Sequence, residues 1–489
     1  MDTAYPFVAG AVLRTARTYP NLDPATGRPL GDVGRAGADE VDAAARAAAS
    51  AQPAWAAATP EQRGRVLTRV GDLVDRDREQ LARLESQDTG KPLSQARTDA
   101  TVAARYFRFY GHVVDAYHGS QIPLGPDVHA YTVREPYGVV GSIVAWNYPL
   151  QLASRALAAA TAVGNAVVLK PADETPRTAL ALARLCTEAG MPPGVVGVVT
   201  GLGAEAGAAL AAHPLVAHLG FVGSTETGRA VAHAAADRVV PTVLELGGKS
   251  AHVVLADADL DRAAEVVTRS LLQNAGQTCS AGSRLVVHES VREPLVERLV
   301  ERFTATTLGP GLEDPDLGPL VSPRQQERVR GYVEGAASGV LRVGGGPPQE
   351  DRLGGGSYWL PTLLDGVDPD DPVAREEVFG PVLVTHPFVD EEEAVALANG
   401  TDYGLLAAVW TRDVARAHRM ASALEAGQVF VNGYGAGGGV ELPFGGVGRS
   451  GHGREKGLAA LDALTRVKTV VVRLDGSPHG RRRAPSCGR

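Results

Sequence analysis

Residues 139–170 read VVGSIVAWNYPLQLASRALAAATAVGNAVVLK, and this stretch decides the fold class. Two short runs rich in β-branched residues, at 139–145 and 166–170, enclose an alanine-rich helical stretch at 150–163. The alternation continues along the chain, with strands predicted at 195–200 and 217–222 and helices at 176–189 and 205–212. Strand–helix–strand alternation predicts an α/β fold whose parallel sheet is covered by helices on both faces.

The flanking segments extend this organisation. Residues 38–87 show a helical pattern, in which TPEQ at 59–62 predicts a capping box with proline at the first helical position. A second α/β stretch covers residues 251–430. Residues 117–136 carry glycines and prolines between β-prone ends, which predicts a protruding hairpin, and residues 467–474 are predicted to form a single late strand.

The composition excludes several functional classes. With 489 residues, 48 Lys plus Arg and 56 Asp plus Glu, the chain has a formal charge of −8, which disfavours a nucleic-acid binder. Hydrophobic residues at 44% and charged residues at 21% are typical of a folded globular protein. The N-terminus lacks the pattern of a signal peptide, and the uncharged windows contain prolines and amides that disfavour a membrane span. We therefore expect a soluble cytoplasmic protein without a nucleic-acid or membrane partner.

Cysteine and lysine are both rare in this sequence. Three cysteines in so long a chain do not form a disulfide framework, which indicates a reducing compartment. Only five of the 48 basic residues are lysines, namely Lys91, Lys170, Lys249, Lys456 and Lys468. A compositional bias toward arginine explains the low ratio of lysine to arginine, but it does not explain why lysine occurs at these five positions.

A glycine-rich turn is the candidate for dinucleotide binding. FVGSTETG at 221–228 leaves a predicted strand and opens a helix, so backbone N–H groups can face a pyrophosphate. It is not a P-loop, because no Lys-Ser/Thr pair follows Gly228. The turn GLG at 201–203 with Gly207 lacks the G-x-G-x-x-G spacing.

Cys279 is the candidate nucleophile. It lies in NAGQTCS at 274–280, where a turn and small neighbours leave the sulfur accessible, whereas Cys186 lies in a helical Leu/Ala pattern typical of a structural cysteine. No metal site is expected, since no second Cys or His stands at ligand spacing. His252 and His288 remain possible bases for a cysteine hydrolase, although both lie in strand-like runs.

Two further side chains suit acyl chemistry. Glu245 stands between two leucines and before Gly-Gly, and partial burial there would raise the pKa of its carboxyl group and suit it to general-base catalysis. Asn147 follows a predicted strand, where its amide can stabilise an oxyanion; Asn before an aromatic-Pro pair is equally common in a simple turn.

Together these segments resemble the aldehyde dehydrogenase superfamily, of the NAD(P)-dependent non-phosphorylating type. The Glu segment at 244–251 and the Cys segment at 272–283 look like the two signatures of that family. Other family-like motifs stand in the family's order: AWNYP at 145–149, KPAD at 170–173, the turn at 223–228, EVFGP at 377–381 and PFGG at 443–446. The resemblance covers nearly the whole chain.

The resemblance implies an architecture and an assembly. The expected parts are a Rossmann-type cofactor-binding domain at 1–116 and 137–248, an α/β catalytic domain at 249–450, a small β oligomerisation flap at 117–136 and 465–474, and a disordered tail at 475–489. The expected assembly is a homodimer or homotetramer, and the expected small-molecule partner is an aldehyde.

The resemblance also implies the chemistry. The Cys279 thiolate attacks the aldehyde, Asn147 and the Cys279 backbone N–H hold the oxyanion, Glu245 activates water, and Glu455 supports proton relay. Nine residues are implied to bind the cofactor: Trp146, Lys170, Asp173, Gly223, Ser224, Gly228, Leu246, Glu377 and Phe379. Lys170 and Asp173 would hold the adenosine ribose, Ser224 the pyrophosphate, and Glu377 with Phe379 the nicotinamide end.

Two departures from the family pattern bear on cofactor and substrate. Asp173 stands where NAD-preferring members carry Glu, so NAD is expected, with NADP possible. Arg155-Ala156 stands where many members have Trp-Lys, which removes the lysine of a proton path. If Arg155 points into the substrate funnel, it favours acidic or aromatic aldehydes; the alternative is that it faces solvent or a subunit interface.

The sequence leaves two other functions open. A cysteine-dependent esterase or hydrolase would use Cys279 and Glu245 without redox chemistry, but it needs no nicotinamide site. An inactive scaffold of the same fold would have no reason to keep Cys279, Glu245 and Asn147 together. Oxidation of an aldehyde to its carboxylic acid through a Cys279 thioester is therefore the leading interpretation.

Overall fold

The computed structural model describes residues 3–435 and 439–474. The tail predicted at 475–489, which includes Cys487, lies outside the described residues. The α-helices of the described part are α1 Ala38–Ala57, α2 Pro60–Arg76, α3 Arg78–Thr89, α4 Leu93–Val113, α5 Pro149–Ala162, α6 Arg177–Glu188, α7 Ala208–Ala212, α8 Thr225–Ala236, α9 Leu260–Leu272, α10 Glu289–Thr304, α11 Pro323–Glu334, α12 Pro372–Arg375, α13 Glu391–Asn399, α14 Val414–Ala423 and α15 Ala459–Ala463. None of them is both long enough and apolar enough to cross a membrane.

The strands of the described part are β1 Phe7–Val8, β2 Ala11–Val12, β3 Thr18–Leu22, β4 Pro29–Gly34, β5 Gln121–Pro123, β6 Val128–Pro136, β7 Val139–Ile143, β8 Ala166–Lys170, β9 Val196–Val198, β10 Val216–Val222, β11 Thr242–Glu245, β12 Ala251–Val254, β13 Arg284–His288, β14 Val340–Val343, β15 Thr362–Asp365, β16 Val382–Phe388, β17 Tyr403–Gly404, β18 Leu406–Trp410, β19 Gln428–Val431, β20 Val447–Gly448, β21 Gly451–His452 and β22 Thr465–Arg473. They form two large sheets and three small ones.

The first large sheet has the strand order β2-β1-β9-β8-β7-β10-β11-β21. Its inner strands β9, β8, β7, β10 and β11 are parallel, which confirms the predicted Rossmann-type fold. The chain order reverses between β7 and β10, and open parallel sheets bind ligands at the carboxyl edge beside such a switch point. This topology brings Asn147, Lys170, Ser224 and Glu245 to one edge, because each ends or directly follows one of these strands.

The second large sheet has the order β14-β15-β16-β13-β12-β18-β19 and is parallel except for β14. Strand β12 follows the Glu segment and pairs in parallel with β13, which follows the Cys segment. The amino ends of β12 and β13 therefore lie together and bring the Cys279 turn next to the chain that leaves Glu245. This connection places the two predicted chemical segments between the two sheets.

The third sheet joins the predicted hairpin to the late strand. Strand β22 pairs with β6 in antiparallel register from Thr465↔Pro136 to Arg473↔Val128, and β5 pairs with β6 on the other side. The late strand begins two residues before the predicted start at 467 and ends at 473. One long edge of β22 carries no partner strand within the described residues.

The predicted helical region at 38–87 consists of α1, α2 and most of α3. The capping box is confirmed: Thr59 Oγ1 accepts from the Gln62 backbone N–H at 3.2 Å, and the Thr59 N–H donates to Gln62 Oε1 at 2.9 Å. The predicted helix at 205–212 is wrong in its first turn, where residues 203–207 form a π-helical turn before α7. Glycines at both ends of that turn permit this geometry, which a hydrophobic pattern does not reveal.

Candidate active site

One cavity of about 1980 Å³ opens between the two large sheets. Eleven of the thirteen residues predicted for the site line it: Trp146, Asn147, Lys170, Asp173, Gly223, Ser224, Glu245, Leu246, Cys279, Glu377 and Phe379. The other two, Gly228 and Glu455, lie directly behind its wall, as described below. Residues from six separate predicted motifs thus meet at one place, although more than 200 positions of sequence separate the first from the last.

Cys279 lies in a tight turn after α9. Asn274 and Ala275 have left-handed backbone angles, with φ of 50° and 55°, and Gly276 follows with φ of 73°. A Cβ on Gly276 would lie 2.2 Å from the Gly380 carbonyl oxygen, so only glycine fits there. The half-buried sulfur packs against Leu405, Leu406 and Phe444. Burial raises the pKa of the Cys279 thiol to about 12, against the opposing effect of Arg155, so the resting thiol is protonated.

Asn147 is placed beside Cys279 by direct contacts with the Cys turn. Its Nδ2 donates to the Gln277 carbonyl at 3.0 Å, two residues before the nucleophile. Asn274 Nδ2 donates to the Asn147 carbonyl at 2.9 Å and fixes the backbone on the other side. An amide that contacts the Cys279 turn in this way can donate a hydrogen bond to an oxyanion formed at the sulfur.

Buried charges behind α5 support Asn147. The Lys91 ammonium is fully buried and lies 3.1 Å from Glu85 Oε1, and it also pairs with Asp99. Glu85 Oε2 accepts from the first turn of α5, at the Leu150 N–H, and Asp99 Oδ1 accepts from Gln151. This triad therefore anchors the start of the helix that Asn147 precedes.

Glu245 ends β11 and is 2% exposed. Neither of its carboxyl oxygens has a hydrogen-bond partner among the described residues. A Cβ on Gly445 would lie 2.6 Å from Glu245 Oε1, so the glycine leaves room for the carboxyl group. Burial, and secondly the neighbouring Glu455, raise the pKa of Glu245 well above its ordinary value. A buried, unpaired carboxyl group beside a cysteine is suited to exchange a proton with a bound molecule.

Glu455 does not line the cavity but forms an ion pair with Arg155, which does. Arg155 is 7% exposed and its guanidinium carbon lies 5.5 Å from the centre of the Phe444 ring. Arg155 therefore faces neither solvent nor a subunit interface. The Arg155 side chain lines the cavity, but its positive charge is largely neutralised by the ion pair with Glu455.

The far end of the cavity is formed by the turn after β8. The Lys170 ammonium is buried and pairs with Asp173. Asp173 Oδ2 also accepts from the Gly203 backbone N–H at 3.3 Å, and the Tyr19 hydroxyl donates to the Asp173 carbonyl at 3.1 Å. Gly203 and Gly207, set aside on spacing alone, also line the cavity.

The amino end of α8 faces the middle of the cavity. Ser224 caps this helix by accepting from the Thr227 N–H at 3.3 Å. Gly228 lies one turn further, where a Cβ would stand 2.5 Å from Leu246 Cδ2. Gly228 therefore allows α8 to pack closely against Leu246 and brings the helix N-terminus, a favourable place for phosphate, to the wall.

Glu377 and Phe379 close the cavity near Cys279. Glu377 Oε1 accepts from the Gly248 N–H at 3.0 Å, and burial raises the pKa of Glu377 to about 7, against this hydrogen bond and the charges of Arg328 and Lys249. Phe379 has a left-handed φ of 61°, which is rare for an aromatic residue and turns the chain toward the cavity. Its ring meets the edge of Trp146 at 5.2 Å between centroids.

A family model described as the aldehyde dehydrogenase family matches residues 12–470. The chain belongs to the aldehyde dehydrogenase family. This finding confirms the predicted family, fold and enzyme class, an oxidoreductase that acts on aldehydes.

Solved structures of the family superpose closely on the chain. A Burkholderia cenocepacia protein named as a candidate aldehyde dehydrogenase is 50% identical, with 96% of this chain and 100% of that chain covered and a TM-score of 0.94. HpcC from Thermus thermophilus is 43% identical, with 98% and 95% covered and a TM-score of 0.95. Betaine aldehyde dehydrogenase from Staphylococcus aureus, solved in complex with NAD⁺, is 33% identical, with 97% and 95% covered and a TM-score of 0.94.

Sequence reasoning missed several residues of this aldehyde dehydrogenase site. Lys456 lines the cavity beside Glu455, and Tyr148 and Thr278 line it next to Asn147 and Cys279. The only sequence feature that points to Lys456 is the rarity of lysine. In the structure, four of the five lysines are buried or half-buried, and only Lys468 is exposed. Within the described residues, no group of three or more His, Cys, Asp or Glu side chains is arranged to hold a metal ion.

Proposed function

We propose that this chain oxidises an aldehyde to its carboxylic acid, with NAD as the hydride acceptor and Cys279 as the covalent nucleophile. One observation carries the proposal: the nucleophile Cys279 and the unpaired acid Glu245 share a single cavity with the Ser224-capped helix end and the Lys170–Asp173 pair. A cavity that joins these elements serves both acyl chemistry and a dinucleotide.

The first covalent step is attack of the Cys279 thiolate on the aldehyde carbon. The carbonyl oxygen becomes an oxyanion that Asn147 Nδ2 and the Cys279 backbone N–H hold. The thiol must first lose its proton, and Glu245 is the nearby group that can accept one once it is ionised. The product is a thiohemiacetal on the sulfur.

Deacylation follows hydride loss, which leaves a thioester on Cys279. Glu245 then takes a proton from water, the hydroxide attacks the thioester carbon, and the C–S bond breaks. The carboxylic acid leaves, and Glu245 returns the proton to the Cys279 sulfur. Glu455 contributes to this relay by raising the pKa of Glu245, and it is in turn held by Arg155.

The residues present fit NAD. Lys170 and Asp173 would hold the adenosine ribose, the N-terminus of α8 at Ser224 the pyrophosphate, and Glu377 with Phe379 the nicotinamide end. Gly223 and Trp146 would line its path, with Leu246 and Gly228 supporting the helix. Bound NAD supplies a hydride acceptor for the thiohemiacetal carbon. Solved relatives that were crystallised with NAD support this choice.

The domain division follows the sheets. We assign residues 1–116 and 137–248 to a cofactor-binding domain, 249–450 to a catalytic domain, and 117–136 with 465–474 to an oligomerisation flap. The first sheet, the second sheet and the three-stranded sheet, respectively, support these parts. The strand β21 at 451–452 returns to the first sheet and carries the chain past Glu245.

The three-stranded sheet supports a homodimer or homotetramer. Among the described residues, one edge of its strand β22 has no partner strand, and β22 exposes Val467, Val471 and Val472. An exposed apolar strand with a free edge is suited to pair with a second copy of the chain. The free thiols of Cys186 and Cys279 support a reducing compartment, which for this protein we take to be the cytoplasm.

One assay tests the function against its alternatives. Absorbance at the reduced-nicotinamide band is followed with a panel of aldehydes and either NAD or NADP. We expect reduction with aldehydes and release of the acid. A cysteine hydrolase would cleave an activated ester but reduce no cofactor with any aldehyde, and an inactive scaffold would do neither.

A further inference from the structure

Two cations flank one aromatic ring beside the nucleophile. Phe444 is 8% exposed and belongs to the small hydrophobic cluster against which Cys279 packs. The Lys456 ammonium lies 4.8 Å from the centre of the Phe444 ring, and the Arg155 guanidinium carbon lies 5.5 Å from it. Both cationic side chains line the cavity, at the end where the aldehyde must sit to reach Cys279.

The two cations differ in what balances their charge. Arg155 is paired with Glu455. The Lys456 ammonium forms no hydrogen bond or ion pair with any described residue, and its close contact is the Phe444 ring. A lysine that lines a cavity and has no hydrogen-bond acceptor can use its ammonium N–H groups to bind a ligand.

The backbone holds Lys456 in this position. Phe444 and Glu455 exchange backbone hydrogen bonds of 2.6 and 2.8 Å, and the Gly457 N–H donates to the Val440 carbonyl at 2.8 Å. Lys456 itself has a left-handed φ of 63°, an unfavourable conformation for a residue with a side chain. Such a conformation persists where the surroundings enforce it, which is common at functional sites.

The carboxylates Asp99 and Glu455 near this end of the cavity are paired with cations other than Lys456. Asp99 pairs with Lys91 and accepts from Gln151, and Glu455 pairs with Arg155. Burial raises the pKa of Glu245, which favours the neutral form of its carboxyl group. Burial, together with Arg155, lowers the pKa of Lys456 to about 8, against the opposing effects of Cys279, Glu455 and Glu245. The ammonium is therefore still mainly charged at neutral pH.

We propose that Lys456 binds an anionic group at the distal end of the substrate, so that aldehydes carrying a carboxylate are the preferred substrates. This inference rests on the proposed oxidation of aldehydes at Cys279. The substrate carboxylate forms a charge-assisted hydrogen bond with the Lys456 ammonium, and Phe444 packs against the chain between carboxylate and aldehyde. A cationic aldehyde meets repulsion at the same place.

The test compares charged aldehydes with neutral partners of similar shape. The pairs are para-formylbenzoate with para-formylbenzamide, and succinic semialdehyde with pentanal. In the parent enzyme we expect kcat/KM to favour the anionic member of at least one pair by about tenfold, as expected for a hydrogen bond to a charged group. A parent enzyme that oxidises the neutral members as well as or better than both anionic ones overturns the inference while leaving the proposed function intact. Absence of cofactor reduction with every aldehyde would instead contradict the proposed function.

Variants locate the effect. Lys456→Met removes the charge at similar length, and we expect the anionic-to-neutral ratio of kcat/KM to fall by about tenfold, mainly through KM for the anion. Lys456→Arg should recover much of that ratio. Lys468→Met, on the exposed strand β22, is the matched control and should leave the ratio at the parent value. A ratio in Lys456→Met equal to the parent ratio would overturn the assignment.

Discussion

At the residue scale, both reacting groups of the site have pKa values above their ordinary range. Burial raises the pKa of Cys279 to about 12 and the pKa of Glu245 well above its ordinary value. Since the thiolate and the carboxylate are the active forms, we expect kcat/KM to increase as the pH rises from neutral into the alkaline range. Glu455→Gln removes an anion that raises the pKa of Glu245 and frees the charge of Arg155, so the rise should move to lower pH. An unchanged or opposite shift in the pH–rate profile would contradict the coupling between the two carboxyl groups.

The nucleophile can be tested by removing its sulfur. Cys279→Ala should lose essentially all aldehyde oxidation while its affinity for NAD, measured by fluorescence titration, stays near the parent value, because the sulfur lies apart from the adenosine end of the cavity. Cys186→Ala is the matched control, since that cysteine is buried in α6 away from the site. Oxidation by Cys279→Ala at the parent rate would exclude the covalent mechanism.

Glu245 separates the two halves of the reaction. Glu245→Gln keeps the shape of the side chain but cannot accept a proton from water. We expect rapid mixing to give a burst of reduced cofactor approaching one equivalent per active subunit, followed by turnover slowed by about 100-fold or more, as is typical for loss of a general base. Steady turnover near the parent rate would show that another group activates the water.

At the element scale, we predict that the turn between β8 and α6 sets the choice of cofactor. A carboxylate such as that of Asp173 can accept a hydrogen bond from a ribose 2′-hydroxyl and would repel a 2′-phosphate, and pairing with Lys170 would weaken that repulsion. We expect kcat/KM to favour NAD over NADP by about tenfold, the effect of one hydrogen bond to a charged group. Asp173→Ala releases Lys170 toward a phosphate, so the ratio should move toward NADP while KM for the aldehyde changes little. Equal or better efficiency of the parent enzyme with NADP would show this prediction to be incorrect.

The sequence predicts best those helices and strands whose bounds depend on neighbouring residues in the chain. The strand β8 has the bounds predicted for it, and the Thr59 box starts α2 as expected, because both depend on neighbouring residues. The π-helical turn at 203–207 is not predictable in this way, since two glycines permit several conformations and packing selects one. For the same reason the spacing of these glycines does not predict that Gly203 donates a backbone hydrogen bond to Asp173.

The sequence predicts only those residues of the site that lie in recognisable motifs. Cys279, Glu245 and Asn147 are identified from their segments, and the topology of the first sheet explains why they meet. The pairing of Arg155 with Glu455 could not be read from sequence, because 300 positions separate the two residues and only the return of β21 to the first sheet brings them together. Lys456 stands out in the sequence for its rarity alone.

At the scale of the whole molecule, the three-stranded sheet is the expected contact between subunits. The double substitution Val467→Asp with Val471→Asp places charges on the exposed face of β22, and we expect light scattering after gel filtration to give a lower molecular mass than the parent. Val340→Asp, at an equally exposed valine on the edge strand β14, should leave the mass unchanged. A double variant that keeps the parent mass would exclude β22 as the assembly strand.

The distribution of lysines leaves few side-chain amines of this protein open to amine-directed reagents. Lys91, Lys170 and Lys249 are buried, so acylating or reductively alkylating reagents meet Lys468 on β22 and the half-buried Lys456 in the cavity. The first amine stands on the strand expected between subunits, and a label there would report on association. The second has a lowered pKa of about 8, which makes it a good nucleophile at mildly alkaline pH. A single aldehyde-containing label could thus mark the inside of the cavity, and a bound carboxylate would protect it.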